Sequence, residues 1–187
     1  MITDSVLCES PVHSIPFLLS RMKRKTISIR ISDASQVMVS APVHMNIGRI
    51  HGFVDQKHLW IHANLNKVSQ WTLLPVLTAS DKRKASENIR SRTNKFLADY
   101  EGKKPARIFI RYSTSRWGSC SSLGNISLNG YLDFVPDELF HYVLCHELTH
   151  LKHMNHSRAF WNELSGLVAN PRLIKLQLTQ YKIPGKG

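Results

Sequence analysis

A chain of 187 residues with 42% hydrophobic content, 9 Gly and 8 Pro is long enough to bury one ordinary globular core. Its three cysteines, Cys8, Cys120 and Cys145, are too few and too scattered for a disulfide-stapled secreted scaffold, and they read as reduced thiols. Two entries in the composition stand out: a formal net charge of +12, from 25 Lys+Arg against 13 Asp+Glu, and 10 histidines.

From the N-terminus, Asp4 and Glu9 precede an apolar stretch that Pro16 interrupts, and the basic cluster Arg21 to Lys25 follows it. That order is the reverse of a secretory signal. Nothing approaches the run of about 18 apolar residues that a membrane span needs, so the expectation is a soluble cytoplasmic protein with no membrane partner. Thr26 to Ile31 alternates with Ile27, Ile29 and Ile31 on one side, the period of a half-buried strand, and a second strand is expected at 36–40. Asp33-Ala34-Ser35 between them can turn, which makes a hairpin. Pro42 closes this unit, and Asn46 can cap a helix whose buried stripe is Ile47, Ile50, Val54 and Ile61.

Residues 69–80 form a plausible joint. Ser80 or Asp81 opens a second helix with Ala85, Ile89, Phe96, Leu97 and Tyr100 on one face, until Gly102 and Pro105 stop it. Strands follow at 107–112 and 124–129. Pro136 suits the first position of a third helix, with Asp137 and Glu138 complementing its positive end, and this helix is expected to run to about His153. Ser157 is positioned to cap a fourth, and Pro171 to start a fifth.

Five of the ten histidines fall between positions 141 and 156, three of them spaced as His146-Glu147-Leu148-Thr149-His150 and then His156. Residues four apart on a helix differ by about 40° in direction and about 6 Å along the axis, so His146 and His150 can share one ion. Two imidazoles and one further ligand leave zinc with an open fourth position, the arrangement of catalytic sites. Glu147 can reach a water there without binding the metal and serve as general base.

The third ligand requires the helix to end, because on a continuous helix His156 would point about 120° away from His150 and lie about 9 Å further on. Asn155 is expected to take the left-handed conformation of the reversal. The spacing is also that of the metzincin signature, but His153 stands where that family uses glycine. His153 and Glu163 are rivals of His156 for the third position.

At this point Arg116-Trp117-Gly118-Ser119-Cys120-Ser121-Ser122, Gly124-Asn125-Ile126-Ser127-Leu128-Asn129, the His146 to His150 motif, Asn155-His156-Ser157 and Phe160-Trp161 resemble the YgjP-like family of zinc metallopeptidases, relatives of the SprT-like and Wss1-like proteases. The resemblance extends upstream to Ser20 to Arg30. It implies an α+β minimal zincin with an N-terminal β-hairpin and helices, a small mostly antiparallel sheet and an HExxH active-site helix. It also implies that residues 1–187 form a single metallopeptidase domain, with 20–105 its basic hairpin and helices and 106–187 its zinc-binding part. The family's third zinc ligand matches His156.

The strand at 124–129 is expected to present an edge to an extended substrate, with Trp117 and Gly118 shaping the turn beneath the site. Arg116, Tyr131 and His153 are candidate donors to a developing oxyanion. Cys120 and Cys145 read as small buried hydrophobes. His51, His58 and His62 share a face of the Asn46 helix and read as solvated.

Residues 1–105 hold 16 Lys+Arg and 8 Asp+Glu, so two-thirds of the net charge lies outside the motif. Lys82-Arg83-Lys84 oppose the dipole of the helix they open, and Arg83, Arg90, Arg92 and Lys95 could track phosphates. The reading is therefore a zinc endopeptidase acting on protein or peptide. The alternative is a nucleic-acid-associated zinc protein, which includes a protease acting on DNA-bound proteins, and a hydrolase of a non-peptide amide is the third reading.

Overall fold

A computed structural model describes residues 5–185. The chain divides into two compact units with the boundary between Trp71 and Thr72, inside the 69–80 joint.

In the first unit, strands β1 (Val6–Glu9), β2 (Pro16–Met22), β3 (Ser28–Ile31) and β4 (Val37–Pro42) form one sheet in the order β1-β2-β4-β3. The expected hairpin is β3–β4, paired antiparallel from Ser28↔Ser40 to Ile31↔Val37. Ser35 takes a positive φ of 58° in its turn, which places this residue in the sterically restricted left-handed region. Strands β1 and β2 escape a search for alternation because Phe17 and Leu19 are interleaved with apolar Leu18, while β2 lies between β1 and β4.

The helix expected from Asn46 is two helices, α1 (Ile47–Gln56) and α2 (His58–Ser69), broken at Lys57. Asn46 caps the first by accepting from Gly48 N at 2.7 Å. Ile50, Val54 and Ile61 are buried with Phe17, Val37 and Val39 in this unit's core, whereas Ile47 stays exposed. The break at Lys57 puts His51 on α1 and His58 and His62 on α2. His58 stacks on His13 with centroids 3.8 Å apart and bonds the Asp55 carbonyl.

The second unit contains β5 (Thr72–Leu73), α3 (Ala79–Asp99), β6 (Arg107–Arg111), β7 (Gly118–Cys120), β8 (Asn125–Asn129), a 3-10 turn at Gly130–Phe134, α4 (Asp137–Thr149), α5 (Arg158–Leu167), α6 (Pro171–Leu178) and β9 (Tyr181–Lys182). Helix α3 starts at Ala79, before the Ser80 or Asp81 expected to open it, because Thr78 caps it in a reciprocal capping box with Asp81. Ala85, Ile89 and Thr93 form its buried face, and α3 lies in the same unit as α4 rather than with the N-terminal part that was expected to extend to residue 105.

The α+β class holds, but the sheet expected to be mostly antiparallel is mixed. Its order is β6-β8-β7, with β6 parallel and β7 antiparallel to β8. The reason lies in the connections. A tight turn joins β7 to β8 through Gly124 at φ 74°, but β7 is interposed in sequence between β6 and β8, which frees that pair to run parallel. Ile126 and Leu128 point from β8 into a core with Leu144, Leu148, Phe160 and Leu164. Among the described residues no helix is long and apolar enough to cross a membrane.

Candidate metal centre

Helix α4 is buried nearly all round. Leu139, Phe140, Val143, Leu144, Cys145 and Leu148 pack into the core, leaving His146 and His150 on the partly open side. Pro136 stands at the N-cap, one position before the place expected for it. The helix ends at Thr149, short of His153. Leu151 N bonds Leu148 O and Lys152 N bonds Thr149 O, tightening the last turn into three-residue steps.

The reversal uses no left-handed residue: among the described residues the positive-φ non-glycine residues are Ser14, Ser35 and Asn170, so Asn155 does not take the expected conformation. A side chain helps hold the turn instead. His150 Nδ1 donates to the carbonyl of His153 at 2.9 Å, which closes the loop and leaves His150 Nε2 with its lone pair outward.

Three imidazoles converge at this point. His146 Nε2 lies 3.2 Å from His150 Nε2 and 3.1 Å from His156 Nε2. Tetrahedral zinc with Zn–N of about 2.0–2.1 Å needs its nitrogens about 3.3–3.4 Å apart. One shared proton could satisfy at most one of these nitrogen pairs, whereas a cation satisfies all three lone pairs. The residues present therefore fit a metal ion, and the ligand atoms of His146, His150 and His156 lie within 4.8 Å of one another. Burial, and then the neighbouring His150 and His156, push His146 down to about 3, so its ring stays neutral. His156 is lowered as well, again first by burial.

The two rivals for the third position are occupied elsewhere. His153 Nε2 lies 2.9 Å from Glu163 Oε2, and Lys152 Nζ donates to Glu163 Oε1 at 2.6 Å. Beneath the triad sits Phe160, fully buried, with its ring centroid 4.9, 4.6 and 4.7 Å from those of His146, His150 and His156.

Glu147 is buried on the turn between the two helical histidines, and desolvation raises it from 4.5 to about 7. Its neighbour across the gap is Gly118 on β7: a Cβ there would fall 2.6 Å from Oε1 and 2.8 Å from Cγ. A glycine is therefore what lets the strand approach the carboxylate. Asn129, 2% exposed, organises the segment leading to Gly118 by donating to the carbonyls of Ser113 and Arg116 at 2.7 and 2.6 Å. Sequence reasoning assigned no role to Phe160 or Asn129. The available signals were an aromatic three residues after the α5 cap position and a polar residue ending an apolar strand.

The family model of the YgjP-like metallopeptidase domain matches residues 69–181. The chain belongs to the YgjP-like family. This YgjP-like chain is also similar to two solved structures of metallopeptidase zymogens. Abylysin of Pyrococcus abyssi is 24% identical with a TM-score of 0.41, covering 52% of this chain and 98% of that one. Jannalysin of Methanocaldococcus jannaschii is 28% identical with a TM-score of 0.40, covering 49% and 94%. No curated protein matches the chain. The matched residues contain the whole His146, Glu147, His150, His156 cluster, so the cluster lies in a metallopeptidase domain.

Four other expectations are corrected by the geometry. Strand β8 is central, with both edges paired, and the free edge beside Glu147 is β7. Tyr131 is buried against Tyr112, and His153 is engaged by Glu163, which leaves Arg116 as the exposed member of the three oxyanion candidates. Arg92 pairs with Asp137 and Asp133 and stacks over Phe140, so it is not available to a phosphate track. Cys145 is buried and pushed up to about 12 by desolvation, as befits a small hydrophobe. Cys120 is half-buried rather than buried, also with its thiol raised.

Proposed function

We propose that this protein is a zinc-dependent endopeptidase in which His146, His150 and His156 hold the metal and Glu147 is the general base. The observation that carries the reading is the convergence of three Nε2 atoms beside a buried carboxylate that lies outside the ligand set. Bound zinc would supply Lewis acidity toward the scissile carbonyl and lower the pKa of a water toward about 7.

The protein's own groups do the rest. Glu147 accepts the proton of the attacking water on its carboxylate and passes it to the leaving amine nitrogen. Burial holds this carboxyl above the ordinary carboxylate range, which favours its taking the water's proton. The His150 Nδ1 bond to His153 O keeps the ring in the tautomer that offers Nε2. Phe160 excludes water from behind the three rings. Extended substrate would pair with the free edge of β7, which brings its backbone past Gly118 and Glu147. The metallopeptidase match favours a peptide bond over other amides, which ligand chemistry alone does not distinguish.

A second reading, association with nucleic acid, draws on Arg83 and Arg90, both exposed on α3 and without an ion pair among the described residues. It is compatible with the first.

The test couples metal analysis to a proteome-wide cleavage comparison between the native protein and its Glu147→Gln variant. One zinc per chain in both proteins, with cleavage only by the native one, is the expected result. Equal cleavage by both would remove Glu147 from the mechanism.

A further inference from the structure

Strand β7 has two faces, and the metal centre uses one of them. Gly118 and its partner Leu128 face α4, whereas Ser119 and its partner Ser127 face the other way. On that outer face lies a cavity of about 420 Å³. Ser119 and Ser127 line it together with Arg111 at the end of β6 and Ser113, Ser115 and Arg116 from the segment that Asn129 ties down. No carboxylate lines it.

Among the described residues neither Arg111 nor Arg116 makes an ion pair. Arg111 lies with its guanidinium carbon 5.6 Å from the Phe109 ring centroid, and Arg116 is exposed. Two guanidinium groups that only donate and four hydroxyls that can donate make a site short of acceptors. The complement is an anion, and the planar forks of arginine match a carboxylate.

The position of the cavity selects among anions. It shares Trp117, Gly118 and Ser119 with the strand whose glycine abuts Glu147. A peptide paired along the free edge of β7 would turn alternate side chains to the two faces, one set toward α4 and the other toward this cavity. A nucleic-acid strand has no backbone N–H and C=O ladder to pair there.

We propose that this cavity is a specificity subsite that takes the carboxylate of an Asp or Glu side chain in the peptide being cleaved. The inference rests on the peptidase reading and names its substrate class, peptides acidic near the scissile bond. Arg111 and Arg116 hold the carboxylate, and Ser119 and Ser127 line the floor. The protein's net charge of +12 favours the encounter with acidic substrates at low salt.

The experiment uses the zinc-loaded full chain and a proteome-derived peptide library. Cleavage sites are expected to be enriched in Asp and Glu at one or two alternating positions. A synthetic pair differing by Glu and Gln at the enriched position should differ about ten- to hundredfold in kcat/KM. The Arg111→Ala/Arg116→Ala double variant should bring that ratio close to one, because the Glu peptide loses its advantage over the Gln peptide. Arg116→Glu, an exposed charge reversal, should shift the preference toward Lys. Cleavage without acidic enrichment, or enrichment unchanged in both variants, overturns the proposal.

If the native protein cleaves no peptide, the peptidase reading fails by itself, and the subsite is then judged by binding. A fluorescent Ala/Glu decapeptide should bind the Glu147→Gln protein at least about tenfold more tightly than the same protein lacking both arginines. Equal binding overturns the subsite. So does a single-stranded oligonucleotide that binds through the two arginines and that the acidic peptide does not displace.

Discussion

Gly118 and Glu147 lie so close that a methyl group on the glycine would come 2.6 Å from the carboxylate oxygen Oε1. The atoms that would have to yield are Oε1, Cγ and Cδ of the glutamate side chain, not backbone. Gly118→Ala should therefore displace the Glu147 carboxylate while leaving the fold and the histidines in place. A loss of about 10² or more in turnover with metal content unchanged is expected, in line with the removal of general-base catalysis. Turnover assays beside metal analysis check it, and native activity would show that the carboxylate is not needed where it stands.

His156 and His153 are separated by the same turn but serve different partners. His156→Ala should strip one of three nitrogens from the metal centre and sharply lower metal stoichiometry after dialysis. His153→Ala should retain a metal ion, because that ring faces Glu163. Since the carbonyl of His153 orients His150, Glu163→Ala is expected to weaken metal affinity by about tenfold, with Glu163→Gln restoring most of it through its amide oxygen. Competition with a chelator of known affinity measures all four variants.

Glu147 makes the metal-free protein sensitive to pH in a defined direction. Its pKa is about 7 folded against the ordinary 4.5 of a free side chain, so between those values the folded state holds a proton that the unfolded chain has released. Its stabilising share is full below about 4.5 and is lost as pH rises toward about 7. Glu147→Gln escapes this loss. The variant should gain stability over the native metal-free protein as pH rises through that window, by up to about 3 kcal/mol above it. Urea titrations of both metal-free proteins at pH 4.5 and 8 measure the difference, and a difference that does not change with pH would refute it.

Phe160 touches all three imidazoles and is fully buried. Phe160→Ala should cost about 3–5 kcal/mol of stability through the cavity it leaves. Chemical denaturation of the zinc-loaded protein reads this, with a metal titration to record the loosened rings.

If phosphates bind α3, they bind the free arginines. Arg83→Ala/Arg90→Ala should reduce the slope of log affinity against log salt by about 2 for duplex DNA. Arg92→Ala should leave that slope unchanged, because Arg92 already pairs with Asp133 and Asp137. Binding isotherms at several salt concentrations separate the two.

The elements legible in the amino-acid sequence are those whose cause is local. The β3–β4 hairpin, the Asn46 cap, the Pro171 helix start and the placement of His146 and His150 on one side of α4 all follow from spacings of a few residues, because helix and strand periods repeat within a turn or two. The break at Lys57 and the early end of α4 were not legible. Apolar spacing continues through both, and what stops the helices is the hydrogen bonding of His58 to Asp55 and of His150 to His153.

The HExxH spacing determined by itself that two imidazoles and a carboxylate would share one helical site, since four residues on a helix set their separation. Tertiary structure alone decided that the third nitrogen is His156 rather than His153, that β7 and not β8 offers a free edge, and that Gly118 walls in Glu147. Those three facts depend on how strands and helices distant in sequence pack around Phe160 and Asn129, and no local period encodes that packing.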